Sequence, residues 1–397
     1  MSCRQIWEDI YGIEILPAAK NTVALALAAS SDFGTTPANS HGLTGTWAVA
    51  GSNNLLPVDS YPQFKAPRSL VEKKVASGSS TQNFFSFTSV GAQPVPIVVP
   101  FLANAHNLTA FFKLLFQDNV SYAQGVTNTD LEIATHIPYD SGCATAFANL
   151  IRIRQDGDET LLRDQKVSAS IVSRITLKGA QGGLIEGEVE FLAAKWEQID
   201  AGATLVARIQ DFDSTPALKF EDLTVLGSTG DTTVTELNIA EFDITFNNNA
   251  KPFFYNEAIA KTFTLGTLEV TGSLTIPWND ESAHGGNATI TQFVANTTKV
   301  FSLVWGKQAA NPLTLPATGN TLGVDVLTGK NSLTDNFFAI HANLKVEDYE
   351  ETDQEENPMI PLKFRMVKSD TVPCDSVGTL KVLTGYKAAT TKWGSWV

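Results

Sequence analysis

Residues Phe263 to Trp278 read FTLGTLEVTGSLTIPW. Leu268, Val270, Gly272, Leu274 and Ile276 fall on one side of an extended chain, and Glu269, Thr271, Ser273 and Thr275 fall on the other. Alternation with a period of two marks a strand with one buried and one wet face. The wet face carries no histidine, no cysteine and no paired acids. Such a strand is chemically quiet, so its use has to lie in what its two faces touch.

The same pattern returns along the chain. In Lys166 to Lys178, KVSASIVSRITLK, the residues Val167, Ala169, Ile171, Ile175 and Leu177 share a side, and a Gly-rich turn leads into LIEGEVEFLAA. Asn336 to Glu347, NFFAIHANLKVE, repeats the alternation, and an acidic turn leads into MIPLKFRMV. Ala169 to Phe338 is an offset of 169 and Phe191 to Phe364 one of 173, while PVPIVVPFLANAHN and TGSLTIPWNDESAH align Pro100 with Pro277. Short strands FANLIRI (147–153) and KVFSLVW (299–305) follow at matching places. One helix stands out. Leu108, Phe111, Phe112, Leu115 and Phe116 form an apolar stripe within Asn104–Asp118, with Asn104 or Asn107 as its cap. The order hairpin, helix or loop, strand, hairpin thus occurs twice. This divides the chain into an arm (1–60), a first copy (61–200), a linker (201–214), a second copy (215–370) and a tail (371–397).

The 397 residues are 43% hydrophobic and 18% charged, enough for packed cores. A formal charge of -14 disfavours binding to nucleic acid or anionic membranes, which requires clustered Lys and Arg. Cys3, Cys143 and Cys374 follow no metal spacing and suit synthesis in a reducing cytosol. The opening MSCRQIWEDIYGIEIL does not read as a signal peptide, and TVALALAA (22–29) is too short for a membrane span and reads as a strand or short helix.

Catalytic patterns are wanting. His41, His106, His136, His284 and His341 are isolated, and no nucleophile elbow occurs. GVDVLTGKN (323–331) departs from a phosphate loop in spacing and in its last residue, and the acidic run Glu347–Asn357 lacks calcium-loop spacing. The reading is a non-enzyme with no catalytic, cofactor or metal residues.

At this point a resemblance enters. AEFDITFNNNAKPFF followed by FTLGTLEVTGSLTIPW is similar to the strand, long loop and strand of the major tail tube proteins of long-tailed bacteriophages. So are NLIRIRQDGDETLLRDQKVSASIVSRITLKGAQGGLIEGEVEFLAA and FFAIHANLKVEDYE with NPMIPLKFRMV, and the likeness covers about 61–370. The resemblance implies a mainly β protein of two tandem tail-tube-type β-sandwich or half-barrel units, each with a flanking helix or loop. It implies a virion protein, made in the host bacterial cytoplasm, whose homotrimeric, pseudo-hexameric rings stack into the tube that conducts DNA. Its partners would be itself and other tail proteins, with DNA only in transit and no membrane. Rival readings are a tail terminator, a secretion-tube protein, or a carbohydrate-binding β-sandwich, which would want aromatics on an exposed face; Trp196, Trp278 and Trp305 sit near strand ends instead.

Two sets of residues follow. Glu186, Glu188, Glu190, Glu241, Asp243 and Glu269 lie on polar strand faces and are candidates to face the lumen, which Lys363 and Arg365 keep from being uniformly acidic. Phe253, Phe254 and Tyr255 lie in a connection too long for a hairpin turn and are candidates for ring stacking.

Overall fold

The computed structural model describes residues 9–16, 19–30, 63–64, 70–76, 84–90, 95–117, 120–124, 131–138, 142–154, 164–199, 217–228, 234–255, 259–277, 299–305, 336–349, 359–366 and 380–387. The first half carries β1 (Asp9–Ile15), α1 (Val23–Ser30), β2 (Gln63–Phe64), β3 (Leu70–Ala76), β4 (Phe84–Val90), β5 (Val95–Leu102), α2 (Ala105–Leu115), β6 (Val120–Gln124), β7 (Leu131–His136), β8 (Ala148–Arg154), β9 (Asp164–Ala180) and β10 (Glu186–Ile199). The second carries β11 (Leu223–Ser228), β12 (Val234–Leu237), β13 (Glu241–Asn247), β14 (Lys251–Phe253), β15 (Thr262–Thr264), β16 (Glu269–Pro277), β17 (Lys299–Trp305), β18 (Asn336–Tyr349), β19 (Met359–Met366) and β20 (Leu380–Lys387). The protein is mainly β, and among the described residues every strand pairing is antiparallel. Of TVALALAA, all but Thr22 falls in α1 and is helical. GVDVLTGKN, Trp278 and most of the acidic run lie outside the described residues.

The quoted segment is β16. It pairs with β13 on one edge and β19 on the other, in the interior of a run β5–β10–β9–β13–β16–β19–β18. Val270, Leu274 and Ile276 are buried, and Glu269 and Thr271 are exposed, as the alternation requires. Under the apolar side lies α2. Asn104 caps it, its side chain accepting the Asn107 N–H at 2.8 Å, which satisfies one of the helix's orphan donors. Phe111 packs edge-on to Phe101 of β5 (centroids 4.8 Å apart), while Phe112 meets Phe246 of β13 (5.1 Å) and Phe338 of β18 (5.8 Å). One helix therefore contributes to a core drawn from both halves of the chain.

The long strand β9 departs from its sequence pattern. Val167, Ile175 and Leu177 enter the main core, but Ala169 and Ile171 enter a second one with Leu192, Ala194, Phe147 and Phe263. The cause is a bulge. Arg174 lies opposite Glu190 and Val172 opposite Phe191, so Ser173 is an extra residue and the side-chain alternation slips there. Ala169, with φ at 51°, marks a further irregularity. β18 carries the same device: Val346 lies opposite Phe364 and Asp348 opposite Lys363, leaving Glu347 extra. Matched by their bulges, the two strands differ by 174 positions rather than by the 169 that side-chain alternation suggests.

His136 ends β7 fully buried, with its Nε2 3.1 Å from the Thr384 hydroxyl of β20. Thr109 of α2 is 2.7 Å from that same hydroxyl. Burial, with the Lys113 ammonium nearby, pushes the imidazole pKa down from 6.5 to about 3. A base depressed in this way stays neutral when folded and gains a proton only on unfolding. Its contribution is therefore present above pH 6.5 and is lost as the pH falls from 6.5 towards 3. We expect about 3 kcal/mol less stability at pH 4 than at pH 7 from this residue. Urea melts of the parent and of His136→Asn at the two pH values measure it, and an equal pH effect in both proteins counts against it.

Candidate functional site

The six candidate acids are brought together on one face of the central run. Their positions follow from register. Val98, Glu190, Arg174, Asn247 and Glu269 stand in one row across the strands; Pro100, Glu188, Thr176, Thr245, Thr271, Arg365 and Lys345 in the next; Leu102, Glu186, Lys178, Asp243, Ser273 and Lys363 in a third. Glu241 lies opposite Thr275 one row further, whose hydroxyl donates to it at 2.8 Å. The opposite face of the same strands is the main core.

The face is acidic but internally paired. Arg174 bridges Glu190 at 3.0 Å and Glu188 at 3.3 Å; Arg365 bridges Glu347 at 2.9 Å; Lys363 bridges Asp348 at 3.4 Å. With Glu347 and Asp348 included, eight acids face five bases, Arg174, Lys178, Lys345, Lys363 and Arg365. These pairs are solvent-accessible, so each adds little to stability, but together they fix where charge stands. Partial burial raises the Asp243 pKa, against the opposing pull of Lys178.

At one end this face becomes apolar. Leu192 and Ala194 continue the line of Glu186, Glu188 and Glu190 along β10, and their cluster draws in Val23 and Ala26 of α1 and Phe263 of β15. The hairpin of β14 and β15 is held there by the asparagine run. Asn248 donates its backbone N–H to Ser173 O (3.0 Å) and its side-chain amide to Val172 O (2.7 Å), both at the bulge. Asn249, at φ 51°, donates its side-chain amide to Thr267 O. Asparagine accepts such a left-handed conformation better than most residues. The Asn-rich turn is thus an anchor whose partners exist because β9 bulges.

That anchor divides the three aromatic candidates. Phe253 and Tyr255 are 43% and 64% exposed, whereas Phe254 packs on the second core. The three residues do not form one exposed cluster: alternation within the extended segment turns the middle ring inward.

No group of His, Cys, Asp or Glu among the described residues could hold a metal ion, and no helix among them is long and apolar enough to cross a membrane. Trp305 is wholly buried against Phe242 and Phe338, and Trp196 packs on the core, which removes both from a sugar-binding surface.

A sheet with one face sealed on a core, the other a patterned polar surface, and an anchored aromatic loop at one end is the anatomy of a wall-building subunit. The chain matches the family model for phage tail tube protein over residues 20–336, and it belongs to that family. It is a structural protein of the virion tail, a major tail tube protein that assembles with other tail proteins in a tube. A search of curated proteins finds no match.

Proposed function

We propose that this chain is the duplicated form of the tube subunit, with three copies closing into a pseudo-hexameric ring and rings stacking into the conduit for DNA. It acts by assembly and not by catalysis, and it is made in the host bacterial cytoplasm. The supporting observation is a pairing order that occurs twice. β5–β10–β9–β8–β1 corresponds to β16–β19–β18–β17–β11, and β2 lies on the edge of β5 as β13 lies on the edge of β16. The repeating unit then takes in β1 from the arm, and β20 from the tail extends the second copy by pairing with β18.

The seam between copies supplies the closing rule. The outer edge of β13 pairs with residues 174–180 of β9, beyond the stretch taken by β8. The equivalent edge of β18, residues 345–349 beyond β17, has no strand partner among the described residues, and neither has the outer edge of β2. An open edge is a template for another chain. If β2 of one chain takes on β18 of the next the place that β13 takes on β9, six units close without a free edge. The polar face would then line the bore with a net negative charge, and the exposed loop at Phe253 and Tyr255 would meet the adjoining ring. Light scattering with electron microscopy of purified protein tests this: we expect three-chain rings with six lobes, and their stacks. A species that stays monomeric at high concentration, or rings of another subunit number, overturns it.

A further inference from the structure

We propose that the cleft at the Gly-rich β9–β10 turn is the socket that receives the Phe253–Tyr255 loop of a second copy in the adjoining ring. This rests on the stacked-ring reading above and names the receiving surface, which that reading leaves open. A polymer of stacked rings needs two unlike surfaces at opposite ends, since a head-to-tail contact cannot be self-complementary.

β13 links the two surfaces. Its last residue, Asn247, begins the anchored loop, and its first residues, Glu241 and Asp243, line a cavity of about 460 Å³ together with Lys178, Leu184, Glu186 and Ser273. Seven residues of strand hold the two about 20 Å apart, a fixed spacing built into one rigid element. Exposed apolar side chains concentrate at these two places. Among the described residues the large exposed hydrophobics are Leu25, Leu184, Phe253 and Tyr255; Leu184 belongs to the cleft and the two aromatics to the loop. Charge complements shape. Exposed Lys251 and Lys261 flank the aromatic segment, while the cleft carries Glu186, Glu241 and Asp243 against Lys178. Leu184 supplies an apolar contact for one ring, and the acids meet the flanking lysines at a rim where partial desolvation strengthens their attraction.

The test uses full-length chains in which Cys3, Cys143 and Cys374 are replaced by serine. One variant then carries Leu184→Cys and another Tyr255→Cys, both at exposed positions where substitution leaves the fold intact, as circular dichroism will check. The two are mixed, assembled into tubes and oxidised. We expect a disulfide-linked dimer that requires both variants and is absent from rings kept apart by dilution. Tubes that form normally without this product overturn the socket and leave ring stacking standing. The product appearing equally in isolated rings also overturns it, by placing the contact within a ring. If the serine-replaced parent makes rings but never tubes, the stacked-ring reading fails, and the socket with it.

Discussion

Gly272→Val should cost the protein about 3 kcal/mol or more and lower its melting temperature by about 4 °C or more. Gly272 stands on the buried side of β16, opposite Ile244 on β13 and Phe364 on β19. A Cβ built there would lie 2.2 Å from the Asp243 carbonyl oxygen, 2.7 Å from the Phe364 ring and 3.1 Å from the Ile244 Cα. A ring can swing aside, but two of those three atoms are backbone of the neighbouring strand. Relief therefore requires β13 and β16 to part, and β13 is also the strand that joins the two halves through β9. Thr271→Val, one position along and exposed on the polar face, is the control and should stay within about 0.5 kcal/mol. The pair tests register directly, because a slip of one residue would exchange their faces. Thermal melts of equal depth for both variants would show that the strand is not seated in this way.

The alternation of β16 was legible because each apolar residue had only to choose a face, and a period of two records that choice. The helix was legible for the same reason, its stripe recording a period of about 3.6; the sequence narrows its cap to Asn104 or Asn107, and the structure uses Asn104. What did not show was anything requiring knowledge of a partner. Thr176 and Thr245 hydrogen-bond across the β9–β13 seam at 3.1 Å, yet nothing in a threonine states which strand will lie beside it. The bulge at Ser173 was hidden too. An extra residue leaves the composition unchanged while moving Ala169 and Ile171 into a different core, so the five apolar positions of KVSASIVSRITLK looked like one face. The aromatic triplet misled in the opposite direction. Three adjacent rings suggest one patch, but adjacent residues in extended chain point to opposite sides, and Phe254 goes inward. A test of the loop by truncation should therefore use Phe253 and Tyr255, since removing Phe254 would confound assembly with packing. That the six acids share one face was legible, because strand parity fixes the face of each and antiparallel register carries it across the sheet. Whether that face lines a bore is a matter of assembly, which strand parity does not record.

On the proposal that the polar face lines the bore, reversing its charge should turn a wall that lets DNA pass into one that holds it. Glu188, Glu190 and Glu269 can be changed to lysine together without touching the core or the cleft at the β9–β10 turn, as none is buried and none lines that cleft. Eight acids against five bases would become five against eight on each chain. The change reaches further than the count, because Arg174 loses both carboxylates that now engage it at 3.0 and 3.3 Å. Each phosphate then held by a lysine or arginine releases condensed counterions, and the salt dependence of binding steepens by about 0.9 per contact. On passing DNA such contacts act as friction, strong at low ionic strength and screened once the Debye length falls to about 3 Å near 1 M salt. We therefore expect particles with the triple variant to release DNA at least tenfold more slowly at low salt, with the deficit closing as salt rises. Empty variant tubes should retain a labelled duplex at 50 mM salt and let it go at higher salt, whereas parent tubes should retain none at either. Variant tubes that assemble normally, bind no duplex and release DNA at the parent rate would place this face on the outside of the tube.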